Sequence, residues 1–412
     1  MSIETLEEFY SQILGFEWPW EVQEIIREGK TREVRVIVAY AEEGNAFCPT
    51  CGKAAPIHDR KPRRWRHLDS CNHKTIIEAD VPRVKCSEHG VLQIPVPWAE
   101  KNSRFTAELE RHVCRWLKTT PISEVGAMFG LSWDQIAGIQ ERAVRRGIAR
   151  RHKASPKNVG VDETSFQKRH EYVTVIMDKD KSTVLDILQD RKSDTLDLWF
   201  KDQKVADLQG IKSISMDMWD PFIKAVRENF NDWENLIAFD RYHIAQHLNK
   251  AVNRVRAKEH RDLLSENKVS ELSGSKFEWL RTSSNWDNRT GSRPSFLKLS
   301  RANLKTARAW RIKEVASSLW NYEYLGVAEK RWKQLLGWIS RSRLEPMIKV
   351  GKTIRRYLWG ILNAIRLKAS NAMLESINSG IQRIKRMACG FRNRNRFRMS
   401  ILFHFGGLDF GF

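Results

Sequence analysis

The sequence predicts a multidomain α+β protein, and three observations lead to that fold class. The chain has 412 residues, which is too long for one ordinary core and favours two to four domains. Paired cysteines near the N-terminus are followed by a segment with helical periodicity, and later segments alternate short β-rich runs with helices. Hydrophobic residues make up 41% of the chain, which is enough for folded domains throughout.

The chain is strongly basic, with 71 Lys and Arg against 50 Asp and Glu and a formal net charge of +21. Such an excess favours a polyanionic partner, because it attracts that partner over long distances and releases its condensed counterions. A basic surface without a specific role is the alternative. No run of roughly 18 apolar residues is present, so we expect no membrane span, and the acidic N-terminal segment lacks the basic start of a signal peptide.

Residues 1–100 are predicted to hold a short amphipathic helix, a strand and then a zinc ribbon. Cys48 and Cys51 form one Cys-x-x-Cys pair, and Cys86 and His89 form a second pair with the same spacing. The segment between the pairs, which includes TIIEADVPRVKC, predicts a β-hairpin. Three thiolates and one imidazole make a closed tetrahedral site of the kind that zinc favours.

The composition of the second ligand pair is open from the sequence. Cys71 or His73 could take the place of Cys86 or His89 as a ligand. Six cysteines in so long a chain are too few for a disulfide scaffold, so metal binding or free thiols are expected. A buried small hydrophobic residue is the alternative for Cys71 and for Cys114.

Residues 101–152 are predicted to form a helix-turn-helix domain. One helix is expected in TAELERHVCRWLKTT, and two more around a turn in TPISEVGAMFGLSWDQIAGIQERAVRRG. Pro121 suits a first helical turn, Gly130 permits a left-handed turn conformation, and Ser132 can cap the next helix. The last helix, about residues 133–146, would enter a DNA major groove, although any two short helices joined by a glycine give a similar pattern. The side chains expected to face DNA are Gln135, Gln140, Arg142, Arg145 and Arg146.

Residues 153–253 predict a sheet of mixed strand direction. Three β-rich runs, NVGVDETSF, EYVTVIMD and STVLDILQD, predict an antiparallel meander. A helix near residues 193–203 then leads to a strand in IKSISMDMW, a helix opened by Pro221, a strand in NLIAFD and a further helix. A three-stranded meander followed by β-α-β with crossover helices is the order of a ribonuclease-H-like fold.

Residues 254–350 break this alternation and predict an all-helical insertion, after which residues 351–412 return to the core with a closing helix and a basic tail. Many of the 16 tryptophans follow residue 275; core packing is the preferred interpretation, and stacking on unpaired bases is the alternative. The tail GFRNRNRFRMS predicts contacts to DNA phosphates, with a solvated basic end as the alternative. Its cationic residues are Arg392, Arg394, Arg396 and Arg398.

Three carboxylates carry the predicted chemistry. Asp162 and Asp217 lie in or at the end of two predicted strands, and Glu375 lies on a helix that could pack over the cleft between them. Three such groups can hold two divalent cations about 3.5–4 Å apart, which clamp the attacking and leaving oxygens of a phosphodiester. Any one of them alone is more often a cap or a turn residue. Glu163 and Asp220 compete for these roles, but strand alternation places Glu163 on the face opposite Asp162.

Glu375 begins a polar stripe on its helix, one position beyond an apolar stripe that starts at Leu374. The polar residues that follow it at helical spacing are Asn378, Gln382 and Lys385. We expect Glu375 to face the cleft and the polar groups after it, including Lys385, to contact DNA; a solvent-exposed glutamate is the alternative. Ser370 or Asn371 could cap this helix.

The segment FDRYHIAQHLNK adds a further pair of interest. Asp240 ends a predicted strand, and His243 starts the following helix. The two residues are expected either to hold the metal ligands in place without binding the metal themselves or to position DNA. A helix cap beside a packed histidine is the alternative.

Several segments together resemble the ISL-three family of bacterial insertion-sequence transposases. They are the CPTCG knuckle, GLSWDQI, VGVDETSF, SMDMWDPF, FDRYHIAQHLNK and SNAMLESINSGIQRIKRMACGFRNRNRFR. The resemblance covers nearly the whole chain and implies a DDE transposase of ribonuclease-H-like fold. It implies a catalytic triad of Asp162, Asp217 and Glu375, with an Asp-x-x-His element at Asp240 and His243.

Two positions depart from the family pattern. Glu163 and Thr164 follow the first aspartate, where a basic position often follows. The last zinc pair is Cys86 and His89, where a second cysteine is often seen, although histidine also binds zinc.

The sequence therefore predicts a DNA transposase. Mg²⁺ or Mn²⁺ is the expected catalytic cofactor, and Zn²⁺ is the expected structural one. The zinc ribbon and the helix-turn-helix are expected to bind the terminal inverted repeats, and a homodimer is expected because two ends must be joined. A cytoplasmic, nucleoid-associated location in a bacterium is expected. A transposase-derived DNA-binding regulator without catalysis and a metal-dependent DNA nuclease are the alternatives.

Overall fold

The computed structural model of the chain describes residues 5–29, 31–41, 46–151, 155–167, 171–190, 192–203, 205–283, 299–301, 304–369 and 372–412. It contains two compact units, Met1–Ala149 together with Asp409–Phe412, and Arg150–Leu408. The finer division into five segments stays a prediction. Within the described ranges, each helix is too short or too polar to span a bilayer.

The first unit begins with helix α1 and a five-stranded sheet. The elements are α1 (Leu6–Leu14), β1 (Trp20–Glu28), β2 (Glu33–Tyr40), β3 (Ile57–Arg66), β4 (Lys74–Cys86) and β5 (Gly90–Gln93). The strand order is β1-β2-β4-β3, with β5 added to β4. The predicted hairpin is β3 with β4, which pair antiparallel, and TIIEADVPRVKC lies within the single strand β4. The sequence does not predict β1. Only its first residue, Trp20, is buried, so the strand lacks the alternation of buried and exposed residues by which a strand is recognised.

The core of this sheet is aromatic. The ring of Trp98 lies edge-to-face against Phe16, Trp20 and Trp65, with ring centroids 4.9–5.3 Å apart. All three tryptophans are buried. Edge-to-face pairs add to the stabilisation that the burial of large rings already provides, so this cluster closes the sheet from one side.

Three helices complete the first unit, as the sequence predicts. They are α2 (Ala107–Leu117), α3 (Ile122–Phe129) and α4 (Trp133–Arg150). Gly130 ends α3 with φ of +63°, a left-handed conformation that favours glycine. Ser132 and Gln135 form a reciprocal cap at the start of α4: the Gln135 N–H donates to Ser132 Oγ, and the Ser132 N–H donates to Gln135 Oε1.

The second unit is built on a five-stranded mixed sheet. Its strands are β6 (Asn158–Gln167), β7 (Glu171–Asp178), β8 (Thr183–Leu188), β9 (Ser213–Met216) and β10 (Ile237–Phe239), in the order β10-β9-β6-β7-β8. Strands β6, β7 and β8 form the predicted antiparallel meander, whereas β9 and β10 run parallel to β6. Four helices lie along the chain between β8 and β10: α5 (Ser193–Lys201), α6 (Val205–Gln209), α7 (Asp220–Asn229) and α8 (Trp233–Leu236).

A group of helices follows β10. They are α9 (Arg241–Ser265), α10 (Lys276–Leu280), α11 (Lys305–Ser318), α12 (Leu325–Arg341), α13 (Glu345–Arg356) and α14 (Leu358–Arg366). One cluster of buried apolar side chains links these helices from Ile244 to Ile365. Trp279 and Trp332 lie in that cluster with no exposed surface, so core packing is their role. Trp286 lies outside the described residues.

The chain ends with α15 (Ala372–Met387) and α16 (Arg394–Phe405). The sequence predicts α15, although the proposed caps Ser370 and Asn371 lie outside the described residues. Much of the basic tail identified in the sequence lies in helix α16. Asn393 caps its start, and Phe397 through Phe403 are almost continuously buried. A helix that is buried on most sides shows no apolar stripe, which is why periodicity did not reveal it.

Candidate functional site

Four predicted zinc ligands converge in the first unit and form what we call the thiolate cluster: Cys48, Cys51, Cys86 and His89. Their ligand atoms all lie within 4.8 Å of one another. His89 Nδ1 is 3.8 Å from Cys48 Sγ and 3.6 Å from Cys86 Sγ. Cys86 ends β4, and the tight turn into β5 brings His89 back beside it. Three sulfurs and one nitrogen at this spacing fit a tetrahedral zinc ion.

The two alternative ligands lie outside the thiolate cluster. Cys71 is exposed, and His73 Nδ1 lies 3.0 Å from the carbonyl oxygen of Cys71. Backbone N–H groups of Glu88 and His89 point at the Cys86 sulfur and lower the pKa of that thiol. The turn after Cys86 therefore favours the thiolate form of that residue, which is the form that binds metal.

A second group of titratable residues, the carboxylate cluster, lies at one edge of the second unit's sheet: Asp162, Asp217, Asp240 and His243. Asp162 lies in β6, Asp217 directly follows β9, and Asp240 directly follows β10. The register pairs Gly160 with Ser215, so that Asp162 and Asp217 stand level on adjacent parallel strands. Asp240 is level with Asp217 for the same reason, since Phe239 pairs with Met216.

The imidazole of His243 lies among the three aspartates. Its Nδ1 is 3.3 Å from Asp217 Oδ2, and its Nε2 is 3.8 Å from Asp162 Oδ1 and 3.7 Å from Asp240 Oδ2. Burial alone would lower the pKa of His243, but its interaction with Asp162 and the negative charges of Asp217 and Asp240 outweigh that effect and raise the pKa to about 9. This corner of the molecule therefore stabilises positive charge, which a divalent cation site also requires.

Asp240 has a second role, because it caps α9. Its Oδ1 accepts a hydrogen bond from the Tyr242 N–H at 2.8 Å. The cap fixes the first turn of α9 and thereby the position of His243, the third residue of that turn. Both interpretations of this pair, a helix cap and a group that supports the other carboxylates, are thus compatible with one geometry.

Glu375 lies on α15 and is exposed. It lines a cleft of about 580 Å³ together with Asp240, Arg241 and Tyr242 from the start of α9. The cleft also receives the cationic side chains of Arg366 and Lys368. Glu375 and Asp240 of the carboxylate cluster thus open on a common space that can admit a polyanion.

Helix α15 is joined to β6 by three contacts that we call the polar ladder. Asn378 Nδ2 donates to Asp162 Oδ2 at 2.7 Å, and Gln382 Nε2 donates to Thr164 Oγ1 at 2.9 Å. Lys385 Nζ donates to the Ser165 carbonyl oxygen at 2.9 Å. The polar stripe on this helix is therefore packed against its own sheet. Helical spacing in the sequence shows the stripe but not what it faces.

A glycine permits this close approach of helix and strand. A Cβ atom on Gly160 would lie 3.1 Å from the δ carbons of Leu374 and 3.0 Å from Met177 Cγ.

Asp220, a competing candidate ligand, is held elsewhere, because it accepts hydrogen bonds from the Tyr357 hydroxyl at 2.7 Å and from Arg356 at 3.0 Å.

The residues of α4 that the sequence expects to face DNA divide into two groups. Gln140 is buried, and Arg142 and Arg146 form ion pairs with the buried Glu110 at 2.6 and 3.2 Å. Gln135 is exposed, although its side-chain oxygen completes the helix cap. Arg145 is exposed and pairs with Glu141 on the same helix. DNA contact by all five stays a prediction, and the placement favours Arg145.

The arginines near the C-terminus also have partners within their own unit. Arg394 donates to the Gln189 carbonyl oxygen and pairs with Glu171, both at 3.0–3.2 Å. Arg398 pairs with Asp186 at 2.8 Å. Arg392 is exposed and Arg396 is half-buried. Phosphate contact by these four arginines stays a prediction.

Comparison with known proteins places the molecule in the class of transposases. Residues 159–401 match a transposase family model, residues 45–89 match the zinc finger of the transposases IS204/IS1001/IS1096/IS1165, and residues 94–144 match the helix-turn-helix domain of transposase family ISL3. The first match covers more than half of the chain, and the chain belongs to the ISL3 transposase family. The resemblance predicted from the sequence is thus confirmed.

Curated relatives align over most of the chain. The chain is 23% identical to a transposase for insertion sequence element IS1001 from Bordetella parapertussis, over 88% of this chain and 89% of the relative. It is also 23% identical to a transposase for insertion sequence element IS1557 from Mycobacterium tuberculosis, over 84% of this chain and 82% of the relative.

Proposed function

We propose that this transposase cuts the ends of its insertion sequence and joins them to target DNA by metal-dependent phosphoryl transfer. One observation carries the proposal. Asp162 and Asp217 stand level on adjacent parallel strands, and Glu375 lines a cleft with Asp240, the third aspartate on that edge. Such a row of carboxylates beside an open, cation-lined cleft suits a phosphodiester and the ions that react with it.

The sheet supports a ribonuclease-H-like fold for the second unit. Its order is β10-β9-β6-β7-β8, with an antiparallel meander followed by two parallel strands. Helices connect the later strands, as the sequence predicts for this fold.

Asp162, Asp217 and Glu375 are the residues that would hold Mg²⁺ or Mn²⁺. When bound, such ions supply an activated hydroxyl nucleophile and neutralise charge on the phosphate. The protein's own part is orientation: the Met218 N–H donates to Asp217 Oδ1, and the Glu163 N–H donates to Asp162 Oδ1, both at 2.7 Å. These bonds leave the other oxygen of Asp217 directed at His243. The fixed carboxylates need little rearrangement to accept a cation.

The first unit supports DNA recognition. Its helix-turn-helix and its thiolate cluster, held by Zn²⁺, would bind the terminal inverted repeats, with α4 in the major groove. The net charge of +21 favours binding to the DNA backbone. A homodimer would bring two element ends together. The protein would act at the bacterial nucleoid.

The test is an in-vitro reaction with labelled element ends, Mg²⁺ and a target plasmid. A transposase yields nicked or cut ends and then end-to-target joints. Cut ends without joints would support a nuclease instead, and tight end binding without cuts would support a DNA-binding regulator. If a correctly folded, zinc-loaded protein neither cuts the element ends nor joins them to the target, the proposal is overturned.

A further inference from the structure

The polar ladder contains one contact that differs from the others, because only Asn378 binds a carboxylate of the candidate metal site. We propose that Asn378 is a positioning residue of that site. It orients the Asp162 carboxylate, and it sets the register of α15 along β6, which fixes the level of Glu375 along that strand. This inference rests on the proposed function, since it assumes that these carboxylates hold divalent cations.

The spacing of the ladder supports the role in register. An α-helix rises about 1.5 Å per residue and a strand about 3.3 Å, so four helical residues match two residues of a strand. Asn378 and Gln382 are four residues apart, and their partners Asp162 and Thr164 are two apart. The helix therefore runs along β6 in step with it.

The same step extends in the other direction. Leu374 lies four residues before Asn378 and packs on Gly160, which lies two residues before Asp162. Glu375 falls between Leu374 and Asn378 along the helix, which brings it to the level of residues 160–162. That is also the level of Asp217 on the neighbouring strand. The register alone thus brings the third carboxylate to within two strand residues of the level of the other two.

Asn378 also fixes the orientation of Asp162. Its Nδ2 donates to Asp162 Oδ2 at 2.7 Å, while the Glu163 N–H donates to Oδ1 at 2.7 Å. An amide must turn its nitrogen toward a carboxylate, because its oxygen would be repelled, so the orientation of the amide follows from chemistry. A carboxylate held by two donors keeps one rotamer without needing a metal ion to order it.

The side-chain oxygen of Asn378 indicates that a hydrogen-bond donor is still needed at this site. Asn378 Oδ1 is buried and has no hydrogen-bond partner among the described residues. Buried polar atoms in proteins are nearly always satisfied by protein or water. Mg²⁺ keeps several bound waters, and those waters are hydrogen-bond donors. A hydrated cation held by Asp162 would supply donors of this kind.

The experiment measures Mn²⁺ binding to the full-length, zinc-loaded protein without DNA, from the electron paramagnetic resonance signal of free Mn²⁺. The variants are Asn378→Ala and the matched control Gln382→Ala, which removes the next contact of the same ladder without touching a carboxylate. Losing a residue that orients a metal ligand typically weakens metal binding by about 10–100-fold. We expect Asn378→Ala to raise the Kd for Mn²⁺ by about tenfold or more, and Gln382→Ala to change it by less than about twofold.

Asp217→Asn provides the reference, since it identifies the share of Mn²⁺ binding that belongs to the carboxylates. Wild-type binding in Asn378→Ala would overturn the inference, and so would an equal loss in Gln382→Ala, because the effect would then come from helix docking in general. If the wild type and Asp217→Asn bind Mn²⁺ equally, the proposed metal site itself fails. Should Asn378→Ala not fold, Asn378→Ser replaces it, because its shorter side chain is expected to lose the same contact. For Asn378→Ala or Asn378→Ser, the Mn²⁺ concentration that half-saturates DNA cleavage should rise by the same factor as the Kd for Mn²⁺.

Discussion

The thiolate cluster of the first unit and the carboxylate cluster of the second are assembled in opposite ways. The thiolate ligands come from two short turns, each with its two ligands three residues apart, and Cys48 and Cys86 are buried. The carboxylates come from separate strands and from a helix far along the chain, and Glu375 is exposed. A closed site holds a structural ion, whereas a site with open positions leaves room for a substrate.

The two clusters also differ in how complete they are. Among the residues that the structure describes, the thiolate cluster is the one group of three or more Cys, His, Asp or Glu side chains whose ligand atoms all lie within 4.8 Å of one another. The aspartates instead surround the imidazole of His243. The comparison indicates that one site contributes to folding, while the other is ordered by packing and keeps access to the cleft.

The largest expected effect tests the folding role of the thiolate cluster. Cys48→Ser combined with Cys51→Ser should lose zinc and unfold the ribbon, because structural zinc supplies about 10–16 kcal/mol to small zinc domains. Elemental analysis and far-ultraviolet circular dichroism check this. Cys71→Ser is the control and should keep its zinc, since Cys71 is exposed and lies outside the cluster. Zinc retained in the double variant would contradict the assignment.

The next effect separates chemistry from folding at the carboxylate cluster. Asp217→Asn should reduce DNA cleavage to background, because the amide keeps the shape of the carboxylate but loses its attraction for the cation. Zinc content, unfolding temperature and binding to element ends should stay unchanged. Asp220→Asn is the matched control and should still cleave, since Asp220 pairs with Arg356 and Tyr357 instead. Full activity of Asp217→Asn, or an equal loss in both variants, would refute the distinction.

A smaller effect concerns the division of DNA recognition between the two units. Arg145→Ala should lower the ratio of cognate to random DNA binding, because a contact to a base edge contributes roughly 1–3 kcal/mol to discrimination. Arg392→Ala should weaken binding to both DNAs alike and flatten the salt dependence by about one unit. Binding to both DNAs across a salt series measures the two quantities. The reverse assignment of effects would show that the first unit does not read the bases.

The smallest effect tests whether packing assembles the carboxylate site. Gly160→Ala should destabilise the second unit by about 1 kcal/mol, at the low end of overpacking costs, because the added methyl crowds Leu374 and Met177. Urea unfolding measures the change. Gly326→Ala is the control: an added Cβ there meets nothing within 4 Å, so the variant should be unchanged or slightly stabilised. Equal stability of both variants would show that the helix does not press on β6.

Particular residues show how far the sequence could predict this molecule. Gly130 and Ser132 predict the turn and the cap before α4, and both lie where expected. The zinc ligands are predicted because their spacing is local. The ion pairs of Glu110 with Arg142 and Arg146 are not predicted, because they join helices that only the fold brings together. Helix α16 is not predicted either. The fold buries it on most sides, so its sequence lacks the single apolar stripe of period 3.6 that identifies a surface helix.

The sequence by itself determined the family, the Cys48–Cys51 ligand pair and the order of strands along the second unit, because each of these depends on local spacing or on alternation along the chain. The tertiary structure decided that Asp162, Asp217 and Asp240 stand level and that His243 lies among them. It also decided that the later residues of the polar stripe of α15, from Asn378 to Lys385, face β6 instead of solvent. The physical reason is that sheet register and helix docking are set by contacts between residues distant in sequence, which no local pattern records.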